Sequence, residues 1–147
     1  MMHNIMTEPL FEGLKQSIYE AKERCQTLKD DWLHEDDPSQ HAVEALLGII
    51  DAIDGLTENI NPNYWEDPGD FDLILRSQRL SVSMANVLRE ALKELAHELR
   101  YFFPRDLLDN RPLQAFVMEQ LDELCQCSDR LIECVKDLDP EKWTFTY

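Results

Sequence analysis

Two groups of residues in this sequence have types and spacings that could do chemistry. The first is a set of carboxylates on a predicted helix, at successive intervals of seven, three and four residues: Glu44, Asp51, Asp54 and Glu58. Side chains at these intervals share one face of an α-helix, within an arc of about 80° at 100° per residue. The chemistry that such a row predicts is electrostatic binding of a cationic surface.

The second group is an E-x-x-H motif, Glu94 and His97. Carboxylate-bridged di-iron bundles need two such motifs and two further inward-facing Glu residues. The nearest second candidate joins Asp31 to His34 and has Asp where that pattern has Glu. No Gly-rich phosphate loop or nucleophile motif is present either. We therefore predict no metal, no cofactor and no enzymatic activity, and a metal-dependent bundle enzyme is the most remote alternative.

The acidic residues of the chain are concentrated in one segment. The 46 residues between Lys29 and Arg76 contain no Lys or Arg and thirteen carboxylates, in a chain of net charge −16. Such a charge repels nucleic acids and anionic membranes, and it favours cationic partners. The thirteen carboxylates are Asp30, Asp31, Glu35, Asp36, Asp37, Glu44, Asp51, Asp54, Glu58, Glu66, Asp67, Asp70 and Asp72.

Three interpretations of this acidic segment are open. It could imitate DNA, whose phosphates are spaced about 3.4 Å apart along each strand, and so occupy the basic surface of a nucleic-acid-binding protein. It could be a solvated face that only keeps the protein soluble. It could also pair with basic residues of a third predicted helix, within the fold or across a homodimer; those residues are Arg76, Arg79, Arg89 and Lys93.

Aromatic residues interrupt the acidic segment between Asn61 and Asp72. Tyr64 and Trp65 stand there beside four carboxylates. Aromatic anchors surrounded by charge are typical of the residues that dominate protein interfaces. The alternative is that these rings close one end of the folded domain.

Four segments have apolar residues at alternating steps of three and four, which is the pattern of helices packed on one another. They cover residues 7–33, 38–60, 70–102 and 111–138. Helices of this length joined by short connections pack as an antiparallel bundle. The sequence therefore predicts an all-α, up-down bundle of four long helices, with an irregular acidic and aromatic connection between helices 2 and 3.

Finer features of these helices follow from single residues. Thr7 is predicted to cap the first helix, with Pro9 in its first turn. The polar stretch from Ser77 to Ser83 predicts a break or kink in the third helix. The core stripe predicted for the second helix lies nearly opposite the carboxylate row, so the row is predicted to face solvent; that stripe is Ala42, Leu46, Ile49, Ile53, Leu56 and Ile60.

The length and the cysteines indicate one domain in a reducing compartment. The 147 residues fit a single domain, 1–147, with 1–6 and 140–147 predicted to be flexible or docked tails. No apolar run is long enough for a membrane helix, and the N-terminus is not a secretory signal. The four cysteines match no zinc spacing, which predicts reduced thiols in the cytoplasm: Cys25, Cys125, Cys127 and Cys134.

These features predict a non-enzymatic, acidic binding protein. Its partner is predicted to be a basic protein that binds nucleic acid, and its action that of a DNA-mimic-like inhibitor or adaptor. The predicted contact residues are the thirteen carboxylates of the acidic segment together with Tyr64 and Trp65. Direct binding to nucleic acid or to membranes is not expected. The alternative is a structural or assembly subunit that pairs through apolar helix faces, in which the acidity serves solubility alone.

Overall fold

A computed structural model describes residues 4–32, 38–62, 71–101 and 111–143 of this protein, and within these ranges it is all-helical. The four long helices are α1 (Asn4–Thr27), α2 (Pro38–Thr57), α3 (Phe71–Tyr101) and α4 (Arg111–Asp137). A π-helical turn (Leu28–Trp32) follows α1, a 3-10 turn (Glu58–Ile60) follows α2, and a short α5 (Pro140–Trp143) follows α4. The predicted all-helical class is confirmed.

Each long helix packs against two others. α1 contacts α2 and α4, and α3 contacts the same two helices from the other side. Along α4, the residues at successive steps of four and three are buried wherever their side chains are described: Val117, Leu121, Leu124, Ser128, Leu131, Val135 and Leu138. Between them, the four helices enclose one continuous apolar core.

The start of α1 differs from its prediction. The helix begins at Asn4, so Thr7 lies inside it rather than capping it, and Pro9 is also within the helix. Thr7 is fully buried. It lies seven residues before Leu14, which is two repeats of 3.5 residues, so both belong to the same core stripe. The cap prediction was wrong because Thr7 occupies a core position, where local sequence preference does not decide where a helix starts.

The buried face of α2 is also rotated from its prediction. The buried residues are Val43, Leu46, Ile50, Ile53, Thr57 and Ile60, whereas Ile49 and Leu56 are only partly buried. At 100° per residue, the observed stripe is turned by about 50° from the predicted one. Pairs of adjacent apolar residues run along α2, so periodicity alone could not choose between the two faces. Because Thr57 is polar, it was not expected in the core, and this favoured the wrong face.

The helix α3 is continuous, so the predicted break between Ser77 and Ser83 was wrong. Its buried positions follow steps of four and three through the polar stretch, including Ser77, Gln78 and Ser81. The Ser81 hydroxyl donates to the Ser77 carbonyl at 2.7 Å. The Gln78 side-chain amide donates to the Val135 carbonyl at 2.9 Å, one of the last four carbonyls of α4. These buried polar groups are therefore satisfied without interrupting the helix.

The chain turns sharply after α4. The Asp139 carboxylate accepts a hydrogen bond from the Glu141 backbone N–H at 3.0 Å, which is the arrangement of a helix N-cap. Pro140 is buried, and α5 packs against α3. Part of the segment predicted as a C-terminal tail is thus a short helix in contact with the domain.

Candidate interaction surface

The carboxylate row of α2 lies beside α1 and is paired with lysines of α1 and of the π-helical turn that follows it. The ammonium of Lys22 lies 3.1 Å from an Asp51 oxygen and 2.8 Å from an Asp54 oxygen. At one end of the row, Lys29 lies 3.5 Å from Glu44. The row is about 110° from the centre of the observed core stripe, not opposite to it, because α2 is rotated relative to the prediction.

Lys15 holds the other end of the row. Its ammonium donates to an Asp54 carboxylate oxygen at 3.0 Å and to the Thr57 hydroxyl at 2.9 Å, and it also pairs with Glu58. The Thr57 hydroxyl in turn donates to the Asp54 carbonyl at 2.8 Å. The same ammonium lies 5.5 Å from the centre of the Phe11 ring. One lysine therefore satisfies a buried threonine and two carboxylates at the α1–α2 contact.

The four carboxylates of the row are thus balanced by three lysines. These partners were not predicted from the sequence, although a signal was present: Lys15, Lys22 and Lys29 are spaced by seven residues along α1 and the π-helical turn that follows it. The expected alternative partners on α3 do not take this role. Arg79 pairs with Glu141, and Arg89 lies next to Glu90. Intramolecular pairing consequently lowers the net charge of the row.

The pairing changes the proton affinity of its members. The hydrogen bond from Lys22 lowers the pKa of Asp54, with Lys15 adding to the effect against the opposing effect of burial. The hydrogen bond to Asp54 raises the pKa of Lys22, again against burial. The lowered pKa means that Asp54 adds stability above its ordinary pKa of 3.8, and that this stability is lost as the pH falls through its lower folded-state value. The stability that Lys22 contributes is fully present below its ordinary pKa of 10.5, and it is lost as the pH rises through the higher pKa of the folded state.

We expect a modest, pH-dependent coupling between Lys22 and Asp54. In a double-mutant cycle with Lys22→Met and Asp54→Asn, the coupling in the free energy of unfolding should be about 0.5–1 kcal/mol at pH 7, because the pair is partly exposed. Urea unfolding followed by circular dichroism measures it. The coupling should disappear in acid, below the lowered pKa of Asp54. A control cycle that replaces the exposed Lys93 with Met, instead of Lys22, should show no coupling with Asp54→Asn. A Lys22–Asp54 coupling that persists in acid would contradict the ion-pair account.

The structure describes only some of the other predicted contact residues. Asp30 and Asp72 are exposed, and the Gln26 side-chain amide donates to Asp30 at 2.9 Å. Asp31 lies in the π-helical turn after α1. The remaining predicted contacts lie outside the described residues: Glu35, Asp36, Asp37, Tyr64, Trp65, Glu66, Asp67 and Asp70. The described residues therefore bring together only the four carboxylates of α2.

A second row of carboxylates, not predicted from the sequence, lies on the outer face of α4. It consists of Glu119, Asp122, Asp129 and Glu133, all exposed. Their spacings of three, seven and four residues place them on one side of the helix, roughly opposite its buried stripe. No Lys or Arg among the described residues lies within ion-pair distance of any of the four. This outer row of α4 thus keeps its charge, unlike the row on α2.

Three of the four cysteines do not have the environment of reactive thiols. Burial raises the pKa of Cys25 to about 12, with a smaller contribution from Cys127. Burial also raises the pKa of Cys125 and of Cys134. Such thiols stay protonated at neutral pH, and the thiolate is the form that reacts. All four cysteines are unpaired with one another.

The E-x-x-H residues do not face the core. Glu94 and His97 are both exposed on α3. Within the ranges that the structure describes, no group of three or more His, Cys, Asp or Glu side chains is arranged to hold a metal ion. In the same ranges, no helix has both the length and the apolar character needed to cross a membrane.

Comparisons with protein-family models, with curated proteins and with solved structures found no match to this chain. Evidence for a function therefore comes from the fold and its surface charges alone. What they define is an all-helical protein of four long, mutually packed helices with carboxylates on its outer faces.

Proposed function

We propose that this chain is a non-enzymatic, acidic binding protein that associates with a basic surface of its partner. The basic surface of a nucleic-acid-binding protein is the class that fits best, and the chain would act there as a DNA-mimic-like inhibitor or adaptor. The observation that supports this proposal is the outer row of α4, where four exposed carboxylates have no cationic partner among the described residues.

The shape of the outer row suits an extended basic surface. From Glu119 to Glu133 it spans fourteen residues, or about 21 Å at 1.5 Å per residue. Unpaired carboxylates raise the rate of association with a basic surface and penalise acidic competitors. Exposed carboxylates of the acidic segment lie elsewhere on the molecule and would add only to the overall negative charge that attracts a basic partner: Asp30, Asp51, Glu58 and Asp72.

We further propose that the four long helices form an up-down antiparallel bundle. Lys15 meets Asp54 and Glu58, whereas Lys29 meets Glu44, so partners run in opposite order along α1 and α2. The helices α1 and α4 are antiparallel for the same reason, since Glu20 meets Arg130 and Arg24 meets Glu123. This arrangement would place the outer row of α4 on the opposite side of α1 from the row of α2.

Two variants with equal change in charge test the proposed function. One neutralises the outer row of α4 (Glu119→Gln, Asp122→Asn, Asp129→Asn and Glu133→Gln). The other neutralises the row of α2 (Glu44→Gln, Asp51→Asn, Asp54→Asn and Glu58→Gln). Each serves as bait, beside the unaltered protein, for basic proteins from a lysate of the source cells.

We expect the unaltered protein and the α2 variant to retain a basic nucleic-acid-binding protein at low salt, and the α4 variant to lose it. High salt and competing duplex DNA should release the captured protein, because both weaken electrostatic attachment to that surface. If only the α2 variant fails to capture the basic protein, the contact lies on the row of α2 instead. A partner that resists salt and DNA, and that both variants retain, would contradict the proposed function.

A further inference from the structure

Three large apolar side chains on α3 are exposed at intervals of seven residues. Leu73, Leu80 and Val87 are 49%, 52% and 56% exposed. An interval of seven returns to nearly the same side of a helix after two turns, about 10.5 Å further along its axis. Single exposed apolar residues are common on protein surfaces, but a row of them on one helix face marks an interaction surface.

The neighbouring surface of α2 carries no charge and has little side-chain bulk. Its exposed residues at steps of three and four are Ala45, Gly48, Ala52 and Gly55. A methyl group added at Gly48 or Gly55 would meet no atom within 4 Å, so this side of α2 is open. A groove of about 210 Å³ joins the two helices, and Ala45 and Ile49 line it together with Ala91. Ala91 also lines the adjoining depression around Val87, so the apolar surface continues across α2 and α3.

Exposed carboxylates border the part of this surface around Val87 and Gly48, whereas the exposed Arg76 lies between Leu73 and Leu80. On α3, Glu90, Glu94 and Glu98 are exposed. On α2, Asp51 and Glu58 form the other border; they are 67% and 65% exposed, although each is also paired with a lysine. A second copy of the chain would bring like charges together at these borders, which opposes self-association. A partner with basic residues on either side of an apolar stripe would meet opposite charge at both.

We propose that the α2–α3 face binds an amphipathic helix of a partner, with an apolar stripe flanked by Lys and Arg. The apolar stripe would pack on Leu80 and Val87, and the lack of bulk at Gly48 would let the backbone of that helix approach α2 closely. The flanking basic residues would lie against the acidic borders. This surface belongs to a different helix pair from the outer row of α4, so the inference does not rest on the proposed function.

A synthetic peptide can serve as the probe. We would use a fluorescently labelled, 18-residue amphipathic helix with Leu and Ala on one face and Lys and Arg beside it. A matched peptide has Glu in place of every basic residue. Fluorescence anisotropy at physiological salt measures the dissociation constant of each peptide with the full chain. The basic peptide should bind and the acidic one should not.

Variants of the α2–α3 face should weaken the binding of the basic peptide by about tenfold or more. In the double variant Leu80→Asp with Val87→Asp, the added negative charge would strengthen a non-specific attraction, so weaker binding identifies the apolar contact. Gly48→Leu fills open surface without changing the charge and should weaken binding as well. Tyr19→Asp is the control, because Tyr19 is as exposed as Val87 but lies on α1. The α4 variant that tests the proposed function should bind the peptide normally.

Several results would overturn the inference. Unchanged affinity in both face variants, with helicity retained by circular dichroism, would show that the peptide binds elsewhere. Equal binding of the acidic peptide would remove the charge argument. A dimer in analytical ultracentrifugation that the double variant abolishes would show that a second copy covers the face. Peptide binding that appears only after deletion of residues 144–147 would show that the chain's own C-terminus covers it.

Discussion

Replacing Ile50 with Asp should leave this protein largely unfolded at neutral pH. Ile50 is fully buried in α2, and burying an isoleucine contributes about 1.5–3 kcal/mol. The substitution would also place a carboxylate in the apolar core without a partner, and a change of this kind costs more than about 4 kcal/mol. The free energy of unfolding of a typical domain is about 5–15 kcal/mol, so the total loss is comparable to the whole stability.

Circular dichroism at 222 nm, with and without urea, measures the effect of Ile50→Asp. The matched control is Ala52→Asp on the exposed side of the same helix, which should change stability by less than about 0.5 kcal/mol. The milder Ile50→Ala keeps the comparison quantitative if the Asp variant does not fold. Equal tolerance of the two Asp variants would contradict the observed orientation of α2.

Shortening Leu88 to Ala should cost about 2–5 kcal/mol in the free energy of unfolding. Leu88 is fully buried at the centre of α3, in the core that the four helices share. The loss has two parts, the apolar area returned to water and the cavity that the neighbouring helices cannot fill completely. The midpoint of urea unfolding should fall, while its dependence on urea concentration stays the same.

Leu80 provides the control for Leu88→Ala, because both are leucines of α3 but Leu80 is about half exposed. Leu80→Ala should change the free energy of unfolding by about 0.5 kcal/mol or less. Similar losses at the two positions would mean that Leu80 is covered in solution. In that case the exposed face of α3 would already be occupied.

The sequence predicted the helices well because their signal is local and repeated. In α4, the residues at steps of four and three over six turns are apolar except for Ser128, and each described member of this series is buried. Proline marks the helix boundaries independently, as at Asp139-Pro140, where α4 gives way to α5. Errors arose where one position satisfied two patterns, as at Thr7, which has the residue type of a cap and the spacing of a core residue.

Polar residues in α3 show a different limit of the sequence. Ser77 and Ser81 look like a break because serine is a weak helix former. Once α3 packs against its neighbours, the helix stays continuous and each serine occupies a small core position. Gln78 could not be assigned a role beforehand either, since its partner is a carbonyl 57 residues away in the chain.

By itself, the sequence determined the helical class, the approximate helix boundaries and the sign of the charge, because each of these depends on composition and near-neighbour spacing. The tertiary structure alone decided which carboxylates keep their charge. A rotation of α2 by about 50° carries its row of carboxylates to the lysines of α1 and the turn after it, whereas the carboxylates of α4 face outward. That rotation is set by how α2 packs against α1 and α3 together, and no residue of α2 specifies it alone.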